Sequence, residues 1–132
     1  MKKYTFGLRV RYEETDQMGY AYYGNYFTWF EVARSEYFRD NNIPYTGFEK
    51  KGLYLPAVEA TCKYEVPLAY DDLIDITVWI SEIKNASMVF QYEIRKDASL
   101  IAKGKTIHAF INEKSKPVRV PDEVRAIYGG SE

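Results

Sequence analysis

The sequence is poor in the residues that build disulfides, metal centres and membrane spans. Its 132 residues include one cysteine, Cys62, and one histidine, His108. An intramolecular disulfide is therefore impossible, and neither a metal site nor another bound cofactor is expected. No apolar run approaches the roughly 20 residues that cross a bilayer, and no secretory signal is visible. We expect a cytoplasmic protein that does not insert into a membrane.

The chain also lacks an excess of charge of either sign. A formal net charge of -1 provides no broad positive field, so nucleic acid is not an expected partner. Aromatic residues, in contrast, are abundant, with 13 Tyr, 7 Phe and 2 Trp. This excess predicts a pocket or an interface lined by tyrosine. The length suits one domain over residues 1–132.

Hydrophobic periodicity predicts one long helix after an initial strand. Alternation predicts a strand over 4–12. Apolar residues then recur at spacings of three and four and predict a helix of about four turns. These residues are Tyr26, Phe30, Ala33, Tyr37 and Phe38. Asn25 is the predicted N-cap, and the Asn41-Asn42 pair with Pro44 predicts the helix end.

The second half of the chain predicts strands. A loop over 45–52 is followed by predicted strands at 56–66, 74–81, 90–95 and 100–112, a hairpin loop at 84–86 and a short helix at 121–128 before Gly129-Gly130. This order indicates an α+β fold with five antiparallel strands and one long helix. Because one helix cannot cover the whole sheet, we expect the sheet to pair with a second subunit.

Residues 12–26 carry the most specific motif. An acidic-x-Asp unit ends at Asp16, Gly19 follows three residues later, and an aromatic pair and an Asn-Tyr step lead into the helix. This segment resembles the active-site loop of the 4-hydroxybenzoyl-CoA thioesterase family of hotdog proteins. Residues 31–34 and 64–72 resemble two further motifs of that family. The resemblance implies a sheet wrapped around one long helix, acyl-CoA hydrolysis to free acid and CoA, and a homodimer or homotetramer.

The resemblance also implies roles for single residues. Asp16 is expected to act as nucleophile or general base, and the backbone N-H of Tyr23 to stabilise the oxyanion, although many bacterial members have histidine there. Thioester hydrolysis needs no metal, because thiolate is a good leaving group. The expected substrate-binding residues are Gly19, Tyr22, Asn25, Glu59 and Lys84. Glu59 is expected to approach the loop of a second subunit, and Lys84 the phosphates of CoA.

Several alternatives stay open at this point. Asp16 is also a typical turn-capping residue, and a hotdog protein that binds acyl-CoA or an acyl carrier without turnover is a second functional hypothesis. A hotdog dehydratase is disfavoured, since His108 is far from the loop in sequence and is predicted to be a structural or surface residue. Cys62 is predicted to be a small buried residue. The sequence does not specify the acyl group, the choice between CoA and acyl-carrier protein, or dimer against tetramer.

Overall fold

The computed structural model describes residues 2–129, which form five strands and three helices. The strands are β1 (Lys3–Arg9), β2 (Ala57–Tyr64), β3 (Leu73–Ile83), β4 (Ser87–Lys96) and β5 (Ser99–Ala109). The helices are α1 (Asn25–Asp40), α2 (Tyr45–Lys50) and α3 (Asp122–Gly129), and a single 3-10 turn spans Tyr12–Glu14. Among these residues no helix is long and apolar enough to cross a membrane.

The strands form one antiparallel sheet in the order β1-β3-β4-β5-β2. The central three strands are the meander expected from the sequence. The first two strands of the chain add to its two sides, so β1 and β2 are the edges of the sheet. The predicted α+β class, with a five-stranded antiparallel sheet and one long helix, is confirmed.

The position of α1 follows from its apolar stripe and from one glycine in the sheet. Six of its residues are buried: Tyr26, Trp29, Phe30, Ala33, Tyr37 and Phe38. The Phe30 ring stacks on Tyr92 of β4 with 4.2 Å between centroids. On β5, a Cβ atom built onto Gly104 would collide with the same ring. Glycine at this position therefore allows the helix to approach the sheet closely.

Three local predictions were wrong. The N-cap of α1 is Gly24, whereas the Asn25 side chain donates a hydrogen bond to the Glu14 carbonyl oxygen. The predicted loop 45–52 contains helix α2, because Phe48 packs against Phe38 with 5.5 Å between ring centroids. The predicted strand 4–12 stops at the end of β1, since the chain then enters the 3-10 turn. The predicted helix 121–128 corresponds to α3, and Gly130 lies outside the described residues.

A chain of polar side chains crosses the core between α1 and β5, and we call it the Arg34–His108 chain. Arg34 Nη1 donates to the Tyr92 hydroxyl at 3.1 Å, and this hydroxyl lies 2.7 Å from Thr106 Oγ1. His108 Nε2 lies 2.9 Å from the same Thr106 oxygen, and His108 Nδ1 lies 3.0 Å from the Leu55 carbonyl oxygen.

The direction of each hydrogen bond in this chain can be assigned. A carbonyl oxygen only accepts, so His108 Nδ1 donates to Leu55, and the neutral ring accepts from Thr106 at Nε2. The Tyr92 hydroxyl then donates to Thr106. Burial, assisted by the positive charge of Arg34, lowers the pKa of His108 to about 4. His108 is therefore a neutral, buried structural residue, which is the first of the two roles, structural or surface, expected from the sequence.

Candidate active site

Glu14 anchors the loop that precedes α1. Its buried carboxylate accepts hydrogen bonds from the Arg11 amide at 2.7 Å and from Trp29 Nε1 of α1 at 2.9 Å. Burial opposes ionisation, but the hydrogen bonds from Arg11 and Trp29 outweigh it and hold the pKa of Glu14 below its usual value. The Glu14 carbonyl oxygen accepts from the Tyr22 amide at 2.8 Å and from Asn25 Nδ2 at 2.7 Å. Glu14 thus holds Arg11 before the loop and both Tyr22 and Asn25 at its end.

Asp16 occupies a tight turn within this loop. Its Oδ1 accepts from the amides of Met18 at 2.9 Å and Tyr20 at 3.2 Å. Gly19, with φ of 81°, supplies the left-handed conformation that closes the turn. The carboxylate is exposed, and its Oδ2 has no hydrogen-bond partner within residues 2–129. Asp16 therefore caps a turn through one oxygen and presents the other to solvent.

At the start of α1, two backbone amides donate to no acceptor within residues 2–129. Gly24 forms the N-cap without a side-chain hydrogen bond. The amides of Asn25 and Tyr26 donate to the carbonyl oxygens of Tyr22 and Tyr23, whereas those of Tyr23 and Gly24 have no acceptor in the described part of the chain. Free amides at a helix N-terminus carry partial positive charge and suit a developing oxyanion.

Tyr64 of β2 holds this helix start in place. Its hydroxyl donates to the Tyr23 carbonyl oxygen at 2.9 Å. That oxygen and the Gly24 N-H belong to one planar peptide unit, so the hydrogen bond also orients the Gly24 N-H. The Tyr22 ring covers Gly24, where an added Cβ would come within 2.8 Å of the ring. Contacts from β2 and from the loop itself therefore position the free amides.

A pocket of about 230 Å³ opens beside Tyr23. Its lining is Ala21, Tyr23, Tyr26, Tyr64, Glu65, Val66 and Pro67. Asp16 borders a separate, wider depression of about 650 Å³ with Tyr12, Glu13, Thr15 and Gln17. The single chain thus places Asp16 and Tyr23 on one loop but on the walls of different concavities. The predicted tyrosine-lined pocket is present.

Two predicted binding residues lie away from this loop. Glu59 is exposed on β2, five residues before Tyr64, which corresponds to about 16 Å along a strand. Lys84 follows the end of β3, whereas the loop contacts Leu68 and Ala69 before the start of that strand. A strand of 11 residues spans about 36 Å. Within one chain, neither residue is brought to Asp16.

Edge strand β2 exposes apolar side chains. Val58 is 63% exposed and Val66, just after the strand, is 46% exposed. Cys62 on the same strand is half-buried, and burial raises the pKa of its thiol, which opposes a role as nucleophile. An unpaired strand edge with exposed apolar residues is typical of an interface.

Sequence reasoning missed Trp29, Tyr26 and Tyr64 as parts of this site. Their contacts with the loop or the pocket depend on residues far apart in sequence, and periodicity only assigned Tyr26 and Tyr64 to a helix and a strand.

Within residues 2–129 no group of three or more His, Cys, Asp or Glu side chains is placed to hold a metal ion.

Comparison with known proteins agrees with the observed fold. The sequence profile of the Thioesterase-like superfamily matches residues 10–127. The acyl-CoA thioesterase YbgC of Haemophilus influenzae is 32% identical over 127 residues, which cover 95% of this chain and 93% of that protein.

Solved structures of thioesterases share the fold of this chain. The DHNA-CoA thioesterase of Staphylococcus aureus is 30% identical, with a TM-score of 0.91 over 98% of this chain and 90% of that one. A 4-hydroxybenzoyl-CoA thioesterase variant bound to 4-hydroxybenzoyl-CoA, at 21% identity and a TM-score of 0.88 over 96% of this chain and 99% of that one, shares the fold. The chain is a hotdog protein and belongs to the Thioesterase-like superfamily.

Proposed function

We propose that this protein hydrolyses an acyl-CoA thioester to a free acid and CoA. The observation that carries the proposal is the pair of unmatched polar groups on one anchored loop. These are Asp16 Oδ2 and the Tyr23 amide, neither of which has a hydrogen-bond partner within residues 2–129. The thioesterase names of the relatives support the same reaction.

Asp16 supplies the attacking oxygen in this proposal, by one of two routes. As nucleophile, the carboxylate attacks the thioester carbonyl carbon, CoA leaves as thiolate, and water hydrolyses the resulting mixed anhydride. As general base, Asp16 takes a proton from a water molecule that attacks the same carbon. In both routes negative charge develops on the carbonyl oxygen, and the Tyr23 amide stabilises it.

We further propose that two copies pair through β2. The strand edge is open and carries exposed Val58, and Glu59 lies on the same strand. Antiparallel pairing of two β2 strands would join the sheets and bury these residues. Glu59 and Lys84 of one copy would then act at the loop of the other copy. The expected mass is at least twice the 15.4 kDa of one chain.

Replacing Asp16 with Asn tests the mechanism. Asparagine keeps an Oδ1 that can accept from Met18 and Tyr20, so the turn should survive while the charge is lost. Turnover, measured as released thiol over a broad acyl-CoA panel, should fall by about 10²- to 10⁴-fold. Thermal stability and the mass from light scattering should not change.

Asp97→Asn is the matched control, because Asp97 also lies in a surface turn, between β4 and β5. It should retain wild-type turnover. Undiminished turnover in Asp16→Asn would restrict Asp16 to its turn-capping role. Absence of turnover by the wild type with every acyl-CoA, together with measurable binding, would favour the non-catalytic acyl-binding hypothesis.

A further inference from the structure

Strand β2 is exposed on both of its faces. Seven of its eight residues are exposed, and only Cys62 is half-buried, whereas no residue of β4 in the middle of the sheet is exposed. Ala60 and Tyr64 lie opposite the buried residues Thr106 and Ala102 of β5, so they face the core side of the sheet and are nevertheless exposed. The sheet therefore ends in a strand that the single chain leaves uncovered.

The free edge of β2 offers backbone hydrogen-bonding groups at alternate residues. The Glu65 amide donates to the Ile101 carbonyl oxygen at 2.9 Å. Because hydrogen bonds alternate along an antiparallel pair, odd-numbered residues of the strand point their backbone groups to β5, and even-numbered residues over 60–64 point theirs to the open edge. A second β2 strand can bind these groups. When two identical strands pair in this way, the two-fold axis passes between one residue and its own counterpart.

The side chains of β2 that face away from α1 decide where this axis lies. They are Glu59, Thr61 and Lys63, which pair with Ile107, Lys105 and Lys103 of β5. Lys63 thus stands directly opposite Lys103, a like-charge pair that is unfavourable, and its acidic contact is Glu65 at 3.6 Å. Glu59 forms no ion pair within residues 2–129. Strand β2 therefore carries an unpaired carboxylate near its start and a lysine with a like-charged neighbour near its end.

Only one position of the axis brings these opposite charges together. An axis at Thr61 places Glu59 of each copy opposite Lys63 of the other, twice by symmetry. An axis one residue earlier sets Glu59 opposite Thr61, and an axis one residue later sets it opposite Glu65. An axis at Glu59 or at Lys63 opposes two like charges directly. Cross-strand pairs of opposite charge stabilise a sheet and like charges destabilise it, so Thr61 is the favoured centre.

This register also completes the wall of the pocket beside Tyr23. A β-bulge at the start of β2 leaves Val58 without a partner on β5, and Val58 is 63% exposed. An axis at Thr61 brings Val58 of one copy beside Tyr64 of the other. Tyr64 lines the pocket and holds the Tyr23 carbonyl oxygen. The single chain thus forms only part of the wall that two copies in this register would form.

We propose that two copies pair through antiparallel β2 strands in one register, with Thr61 on the two-fold axis and Glu59 of each copy bound to Lys63 of the other. The inference rests on the proposed function, which includes pairing through β2, and adds the register and the residues that select it. Glu59 then acts on the loop of the other copy through Lys63, which precedes Tyr64 in the strand that holds this loop.

A cysteine at residue 61 tests the position of the axis. In a Cys62→Ala background, Thr61→Cys should form a disulfide with its own counterpart when oxidised glutathione is added. Facing residues of a non-hydrogen-bonded pair have Cα atoms about 4.5 Å apart, which a disulfide can span. A non-reducing gel should show most of the protein as a covalent dimer, and this dimer should keep wild-type turnover.

Glu59→Cys and Lys63→Cys in the same background are the matched controls. Each of these residues lies four positions along the strand from its own counterpart, which corresponds to about 13 Å. Neither variant should cross-link alone, whereas a mixture of the two should cross-link, because residue 59 of one copy faces residue 63 of the other.

Charge reversal tests the two ion pairs. Glu59→Lys and Lys63→Glu each replace two attractions by two repulsions and should raise the dissociation constant of the dimer by about 10- to 100-fold at low salt. The double variant restores opposite charges and should return to within about threefold of wild type. Lys114→Glu changes an exposed lysine in the loop after β5 and should leave the constant unchanged. Sedimentation over a range of protein concentrations measures each constant.

Three results would overturn the register while leaving pairing intact. These are cross-linking of Glu59→Cys or Lys63→Cys alone instead of Thr61→Cys, a double charge variant that dimerises no better than the single variants, and a Thr61→Cys disulfide that abolishes turnover until it is reduced. A wild type that stays monomeric at every concentration would overturn the pairing itself. Thiol release by the wild type is measured separately, so failure of the thioesterase reaction and failure of the register are distinguishable.

Discussion

Polar groups around the two halves of α1 differ in whether they have hydrogen-bond partners. Around its C-terminal half, the Arg34–His108 chain gives every hydroxyl and ring nitrogen a partner inside the protein. One guanidinium nitrogen, Arg34 Nε, is buried without a partner among residues 2–129. Around its N-terminal half, the Tyr23 and Gly24 amides and one Asp16 oxygen have no partner among the described residues.

This difference suggests that groups around the C-terminal half of α1 stabilise the fold, whereas groups around its N-terminal half are available to a substrate. Matched buried groups lower the free energy of the folded chain and leave nothing to offer a ligand. Unmatched groups raise that free energy slightly but can bind a substrate without first breaking an internal hydrogen bond. Variants at the N-terminal half should therefore change rates, and variants at the C-terminal half should change stability.

After Asp16→Asn, the largest effect on turnover should come from loss of the Tyr23 amide. Tyr23→Pro removes the N-H and should lower kcat by about 10²- to 10³-fold, the usual loss for one oxyanion donor. Tyr23→Phe keeps the amide and should retain most turnover. A melting curve must show that proline has not unfolded the loop. An equal and severe loss in both variants would mean that turnover depends on the Tyr23 phenol and not on its amide.

The second effect should appear around the C-terminal half of α1, where the polar groups have internal partners. It is a pH dependence of the free energy of unfolding. His108 has a folded-state pKa of about 4 against about 6.5 when unfolded. Between these values the unfolded chain binds a proton that the folded chain does not. The free energy of unfolding should therefore decrease by about 3 kcal/mol as pH falls from 6.5 to 4.

Chemical denaturation at several pH values measures this decrease. In His108→Gln the stability at pH 7 should be lower, and most of the decrease between pH 6.5 and 4 should disappear. Glu14, whose folded-state pKa is lowered, should add its own loss of stability as pH falls below its unfolded value of about 4.5. An unchanged pH dependence in the variant would mean that His108 is not held neutral by the fold.

The prediction from sequence was most successful where one short segment contains the whole signal. The alternation of Ile74, Ile76, Val78 and Ile80 fixes the inward face of β3, and all four are buried. The loop of Asp16 and Gly19 could be located because its turn closes within five residues.

Long-range contacts account for what the sequence did not predict. The Trp29 indole reaches a carboxylate 15 residues earlier, and the Tyr64 hydroxyl reaches a carbonyl 41 residues earlier. Helix α2 also depends on such contacts, because its Phe48 packs on Phe38 of the preceding helix. No local pattern specifies which of these partners will meet.

The smallest effect should arise at Tyr64, which links the edge strand to the free amides. Tyr64→Phe removes one hydrogen bond to the Tyr23 carbonyl oxygen and should lower kcat by about 2- to 10-fold. KM, light-scattering mass and melting temperature should stay near wild type, since Tyr64 is 41% exposed. A shift in melting temperature with unchanged kcat would mean that Tyr64 contributes to stability and not to turnover.

The strand order also has a consequence for synthesis of the chain. Lys3 of β1 pairs with Trp79 of β3, and Lys63 of β2 pairs with Lys103 of β5. A chain that leaves the ribosome N-terminus first therefore exposes β1, β2 and the apolar stripe of α1 before any partner strand exists. Only the β3-β4-β5 meander closes by local hairpins, so it is the expected nucleus onto which the earlier segments dock. The loop that carries Asp16 is thus among the first segments translated and among the last to reach its final contacts.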